Sequence, residues 1–370
     1  MKLAYTFLFL LALVFVPSIS FAQEIHEDLQ GVWSAQVVSI TEEGTKLIPG
    51  TETESVYQVI EAEILEGEKK GTRIVLENDF ISLRENQKFF VSYLITMDGR
   101  ELYAVRDIDR RGALLLLTIF FAAVVVVFGK WQGVRSIISL FGSFIVIIFV
   151  LLPLLLQGYN PIVISILIGS VILFVAIFFT HGFTFQSLIA FCGTTITIVV
   201  TGMLAFVSIE VLQLSGFFSD ETVFLNFGTN GTLDFKGLLL GGMIIGVLGV
   251  LDDIAITQVA IVRELAKNSK NLSVYQLYES AMSVGREHVG ALVNTIVLAY
   301  AGVSLPLLLW FSQSEASFGT IINNEVFATE IARTIVGSIG LILAVPVTTF
   351  LAVYFRKKLV SSKAIHAHHH

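Results

Sequence analysis

The sequence predicts a polytopic α-helical membrane protein with about seven transmembrane helices, preceded by a small extracytoplasmic β-barrel of OB-like type. Three observations predict it. The 370 residues are 55% apolar and only 14% charged, with a mean hydropathy of +0.81, whereas an ordinary soluble domain carries about a quarter charged residues. Beyond residue 112 the chain is a series of apolar runs near the length needed to cross about 30 Å of hydrocarbon, roughly 20 residues per helix. Residues 23–108, by contrast, are dense in charge and built from short β-rich runs. This balance excludes a disordered chain, a nucleic-acid binder and an ordinary cytosolic enzyme.

Residues 1–22 read as a secretory signal, with Lys2 as the basic start, an apolar stretch to Val16, and small residues Ser20 and Ala22 before a cleavage point at Gln23. Either a cleaved signal or an uncleaved anchor places the next segment outside the cytoplasm. In that segment, runs at 31–40, 55–64, 72–76, 88–96 and 101–108 are separated by turn residues such as Glu43-Gly44, Pro49-Gly50, Gly71 and Asp98-Gly99. Five short strands joined in this way suggest a small OB-like barrel. A nucleic-acid role is rejected, because the segment is acidic and exported.

The apolar runs are 113–129, 136–157, 162–180, 188–209, 237–262, 288–311 and 331–355, within a membrane domain of 109–358. Loop charges order them. Starting outside, Lys130 and Arg135 fall inside, as do Arg263, Lys267, Lys270 and Arg286, and then Arg356, Lys357 and Lys358. Glu210, Asp220, Glu221, Asp234, Glu315 and Glu325 fall outside. This is the positive-inside pattern, with Arg110 and Arg111 as exceptions next to the exported domain. The expected location is the bacterial plasma membrane with a cytoplasmic C-terminus. The tail, 359–370, ends in His366 and His368 to His370, read as a tag remnant. Cys192 stands alone in the sequence, so no intrachain disulfide forms.

Polar stripes on such helices mark surfaces that meet protein, water or substrate. In the fifth run, Gly242, Gly246, Gly249, Asp253, Thr257, Ala260 and Glu264 recur at three- or four-residue steps and share one face. Glycines there are expected to admit another backbone closely, holding Asp253 against it near mid-membrane, with Asp252 about 100° round the helix. Two adjacent carboxylates in lipid are tolerable if they hold a cation, share a proton or line a wet cavity. Further stripes are Ala190, Thr194, Thr197, Thr201, Ala205 and Ser208 in the fourth run, Glu287, Gly290, Ala291 and Asn294 in the sixth with Thr295 beside them, and Arg333, Gly337, Gly340, Ala344 and Thr348 in the seventh. Each alone reads first as packing. Together with the acids they suggest an oxygen-rich ion site: Asp252 and Asp253 as ion and metal ligands, with oxygens from Thr257, Gln258, Asn294, Thr295, Thr194 and Thr197. Glu264, Arg286, Glu287 and His288 are expected to pair as a cytoplasmic gate, the alternative being an interfacial salt-bridge cap. Residues 273–283 read as a short amphipathic segment at the interface.

At these residues the chain resembles the YibE/F-like family of bacterial multi-spanning membrane proteins. The resemblance rests on Gly246-Val-Leu-Gly-Val-Leu-Asp-Asp-Ile-Ala-Ile-Thr-Gln258 and on Gly285-Arg-Glu-His-Val-Gly-Ala-Leu-Val-Asn-Thr-Ile-Val-Leu-Ala-Tyr-Ala-Gly302. Asp253, Arg286, Asn294, Thr295, Ala299 and Tyr300 match the family pattern, and Glu287 stands where the family usually has Asp. The resemblance implies a multi-spanning, transport-related protein and names no substrate.

The expected function is therefore a secondary transporter or exporter of a small ion. No nucleotide-binding signature is present. A bound cation (Na+, H+ or a divalent ion) is the only cofactor the pattern suggests. Partners are membrane lipid and the small ion, with a homodimer as a candidate assembly and no nucleic acid. Rival readings are an intramembrane acid-dependent enzyme and an envelope scaffold whose β domain recruits a partner. Arg333 leaves a small anion such as phosphate open as substrate. The second to fourth and fifth to seventh runs invite comparison as inverted repeats.

Overall fold

The computed structural model describes residues 30–47, 50, 54–96, 100–269 and 272–361. The signal segment and the histidine tail lie outside them, as does the Asp98-Gly99 turn. The chain divides into two compact units, one reaching Val124 and one beginning at Val125.

In the first unit, β1 (Gln30–Leu47), β2 (Glu54–Ile64), β3 (Arg73–Asn78), β4 (Lys88–Ile95) and β5 (Glu101–Ile108) form one antiparallel sheet in the order β3-β2-β1-β4-β5. β1 is long enough to serve both halves, pairing Gln30 to Gln36 with β4 and Ala35 to Leu47 with β2. Register shifts at Val37/Ser39 and Ile40/Glu42 supply the bends that curl a strand, and the end strands β3 and β5 approach one another. Glu43-Gly44 is not a turn: both residues lie inside β1, Gly44 opposite Tyr57, because the paired strand β2 supplies ladder partners straight through the polar tip.

Alternation sends Ile60, Ala62 and Ile64, Ile74 and Leu76, and Phe89 and Val91 into one core. Gln58, fully buried, anchors it. Its Oε1 accepts from Leu83 N at 2.8 Å and Asn78 Nδ2 at 3.1 Å, and its Nε2 donates to Leu83 O at 2.9 Å. Gln58→Leu is expected to cost about 1–3 kcal/mol of local stability by orphaning those groups; faster hydrogen exchange at the Leu83 amide is the check. At the edge, Lys69 pairs with Glu101 and sits 4.7 Å over the Tyr93 ring, which stacks on Trp33. The Lys69 ammonium holds the Glu101 carboxyl below its ordinary range.

The helices follow. α1 (Arg111–Leu156) is followed by α2 (Pro161–His181), α3 (Phe185–Val211), the short α4 (Asp220–Gly228), α5 (Phe235–Asn268), α6 (Val274–Val303), α7 (Leu305–Ser312), α8 (Phe318–Asn323), α9 (Glu325–Tyr354) and α10 (Arg356–Ser361). Five are long and apolar enough to cross a membrane, or six if the α6–α7 pair, bent by 64°, is one span. Runs 113–129 and 136–157 both lie within α1, on either side of a break at Lys130, and 288–311 is bent where Pro306 opens α7.

Lys130 has φ 49° and ψ −136°, outside helical space. In a straight helix Val125 and Gly133 would be about 12 Å apart along the axis. Here a Cβ on Gly133 would overlap the Val125 carbonyl, so the chain folds sharply at Lys130.

α3, α5 and α9 pack on one another at the centre, α2 lies against α5 and α3, and α6 against α9 and α5. α3 and α9 are antiparallel, and their small residues interlock. A Cβ on Gly193 would lie 2.6 Å from Thr348 Oγ1, and one on Gly340 would strike Thr201 Oγ1. α2 and α5 run parallel, with Pro161 beside Gly237, Ser165 beside Gly241 and Gly169 beside Leu248. Residues 273–283 are not a separate interfacial segment. Ser273 and Gln276 form a capping box, which starts α6 there.

Candidate functional site

α5 starts at Asp234, whose carboxylate accepts from Gly237 N at 3.0 Å. Its buried side, with Val247, Leu251, Ala255 and Val259, faces the bundle. The opposite line, Gly242, Gly246, Gly249, Asp253, Thr257, Ala260 and Glu264, is exposed at every position. The close backbone neighbour expected for these glycines is therefore absent among the described residues. At Gly242 and Gly249 nothing lies within 4 Å of an added Cβ. The stripe does mark a face rich in small and polar residues, but no helix among the described residues covers it.

Asp253 stands in this open line, near the middle of α5. One contact crosses the line: Tyr300 Oη of α6 reaches to 2.8 Å from the Cβ position of Gly246. Asp252, one step round, is half-buried, and its Oδ1 is buried without a hydrogen-bond partner. His181, closing α2, is near enough for Asp253 to act on it electrostatically. In the parallel α2–α5 register, four-residue steps from Pro161/Gly237 bring Ile177 level with Asp253, with His181 one turn beyond. No ion pair engages either aspartate among the described residues, and none of those residues form a group of three or more His, Cys, Asp or Glu able to hold a metal. The two aspartates would be the charged ligands of any ion bound there.

Three of the other expected ligands are engaged elsewhere. Thr194 and Thr197 are fully buried between helices and donate to carbonyls of their own helix, Phe191 O and Gly193 O, each at 2.9 Å. Gln258 lies on the buried side of α5. Its Oε1 accepts from Thr349 Oγ1 at 3.1 Å, and a Cβ on Gly285 would lie 2.7 Å from its Nε2. It ties α5, α9 and α6 together. Asn294 and Thr295 are exposed on α6, and Thr295 donates to Ala291 O at 2.9 Å. Only Thr257 shares the face of Asp253.

The expected inner gate is also paired differently. Arg286 binds Glu279 at 3.2 Å, and Glu264 accepts from Asn268 at 3.5 Å. The continuous α6 brings Glu279 within reach of Arg286, seven residues apart and so two turns along one face. Glu287 and His288 are exposed.

One feature escaped the sequence reading: His181, which closes α2 one turn past the level of Asp253. Arg333 is largely buried, 5.3 Å from the Phe218 ring and 3.6 Å from Glu330, with its Nε lacking a partner.

No curated protein and no solved structure matches the chain. A family model described as YibE/F-like protein matches residues 117–358, which contain α2 to α9, both aspartates and the Tyr300 contact. The chain is a membrane protein belonging to the YibE/F-like family.

Proposed function

We propose that the chain is a secondary transporter or exporter of a small ion, with Asp253 and Asp252 binding the substrate or coupling cation. One observation carries the reading: an outward-facing carboxylate and a buried, unpartnered carboxylate oxygen sit side by side near the middle of a helix able to cross a membrane. A carboxylate at such depth costs about 2.5–3.5 kcal/mol on insertion scales. A sealed structural contact would answer that cost with an ion pair or hydrogen bonds from the chain. An open position answers it with water and an exchanging proton or cation. Thr257 adds a hydroxyl on the same face, His181 a titratable neighbour, and Tyr300 a bridge across the line.

The architecture in this reading has seven crossings. α1 counts as two, hinged at Lys130, and α6–α7 as one. The N-terminal domain is then extracytoplasmic, Lys130 and Arg135 are cytoplasmic, and the C-terminus is cytoplasmic at the plasma membrane. The strand order with β3 and β5 drawn together supports an OB-like, partly open barrel, which would recruit a partner.

The test is flux. Purified full-length protein in liposomes, given gradients of Na+, H+, a divalent cation or phosphate, is expected to move one of them faster than protein-free liposomes. Phosphate movement would assign Arg333 rather than the aspartates to the substrate. Absence of flux for all four with cleavage of a lipid or peptide would replace the proposal with an intramembrane enzyme. Absence of both with a retained envelope partner would replace it with a scaffold.

A further inference from the structure

Because α3 and α9 are antiparallel, the first turns of α3 lie beside the last turn of α9. Between them is a cavity of about 110 Å³, lined by Phe185, Leu188, Ile189, Cys192, Leu351 and Phe355. Its wall presents no polar surface. Leu188 and Cys192 are exposed, so the cavity opens on the outside of the bundle rather than into its core. From Phe185 to Cys192 the α3 wall is about 10 Å long, at a rise of about 1.5 Å per residue, and it leads from the helix end into the span. Phe185 and Phe355 meet edge to face at 5.9 Å where the two helix ends come together. Three cations stand at this same end. Arg356, Lys357 and Lys358 follow Phe355 directly and open α10, which the fully buried Leu359 pins to the bundle. Lys357 and Lys358 are exposed, and Arg356 is half-buried with its Nη1 donating to Val353 O at 3.3 Å. None of the three forms an ion pair among the described residues.

We infer that this is a binding site for one anionic phospholipid, with an acyl chain in the cavity and the phosphodiester on Arg356, Lys357 and Lys358. The inference needs only that the chain spans a membrane, so it stands apart from the transport reading. The cavity excludes other occupants. A helix is about 10–12 Å across with its side chains and cannot enter a space of this size, whereas a single hydrocarbon chain can. Water gains nothing from a wall that offers no hydrogen bond. The cations supply the rest of the selection: unpaired positive charge at the mouth of an apolar space calls for a ligand that is anionic at one end and hydrocarbon at the other, and basic pockets between membrane helices recognise lipid headgroups in this way. Three cations after a last span also follow from the positive-inside pattern, but that pattern alone seats no particular lipid. The cavity beside them does.

The test counts bound lipid. Full-length protein, stripped of lipid in detergent, is titrated with phosphatidylglycerol or with phosphatidylcholine of the same acyl chains, and the adducts are read by native mass spectrometry. The parent is expected to hold one phosphatidylglycerol with at least about a tenfold preference over phosphatidylcholine, as three nearby cations allow. Replacing the cations together, Arg356→Gln with Lys357→Gln and Lys358→Gln, is expected to bring that preference within about twofold. Cys192→Trp fills the cavity while leaving the cations in place, and is expected to weaken phosphatidylglycerol binding at least about tenfold by removing the seat of the acyl chain. Cys192→Phe, a smaller filler, is read in the same way if the tryptophan variant does not fold. A parent without preference, or a preference that survives loss of the cations, overturns the inference. Phosphatidylglycerol binding that is unchanged by a filled cavity also overturns it, because the surface charge alone then accounts for the lipid.

Discussion

Asp253→Asn is expected to lower ion flux by at least about a hundredfold, the behaviour of an intramembrane acid that carries the moving charge, while the folded yield holds or rises. The two halves of this expectation come from one observation. Asp253 is exposed and has no ion pair among the described residues, so an isosteric amide disturbs no contact. It also removes the cost of holding a carboxylate at that depth, about 2.5–3.5 kcal/mol on insertion scales. A neutral side chain, however, neither exchanges a proton nor balances a cation. Proteoliposome flux and size-exclusion yield, measured on the same preparation, check both halves. Undiminished flux would show that the carboxylate is not visited by the substrate. Lost flux with lost yield would show that it is structural.

The largest stability effect is expected at the seam between α3 and α9. Gly340→Ala would drive its methyl into Thr201 Oγ1, and the Thr201 Cγ2 lies only 3.0 Å from the same position. Thr201 is fully buried and its hydroxyl already donates to Thr197 O at 2.8 Å, so it has nowhere to turn. Overpacking of this kind costs about 1–3 kcal/mol, and Gly340→Leu more. Adding Thr201→Ala to Gly340→Ala clears both offending atoms and is expected to recover most of the loss. Thermal melts of the two single variants and the double variant in detergent are the measurement. A fully additive double variant would mean that the two residues do not meet.

The seam shows why some of the architecture could be read before any coordinates. Lipid demands apolar side chains around a helix, so the apolar runs announce themselves. Small residues at three- or four-residue steps then announce close helix contacts, as Thr197, Thr201 and Gly340 do. The same signal misled at α5. A stripe of glycines and polar groups says that lipid is not the preferred neighbour; it does not say whether a helix, water or another molecule takes lipid's place. Gln258 illustrates a second limit. It adjoins the acidic pair in the chain, yet the helical turn carries it to the buried side, where Thr349 and Gly285 wait. Arg286 illustrates a third, because its partner depended on where α6 begins. A capping box at Ser273 and Gln276 moved that start by several turns and put Glu279 within reach. In the β domain, Gly44 carries no mark distinguishing a hairpin tip from a strand interior, and only the pairing with Tyr57 decides.

The bare line on α5 has a consequence for the surrounding membrane. Acyl chains cannot solvate Asp253, and the missing side chains at Gly242 and Gly249 leave peptide carbonyls within reach of any intruding dipole. Where this flank meets lipid, phospholipid headgroups and their hydration would be drawn inward along it, and the leaflets would pinch toward it. Such a flank is at ease in a thin, loosely ordered bilayer and under tension in a thick, sterol-stiffened one, so the host lipid becomes part of the energetics of the protein.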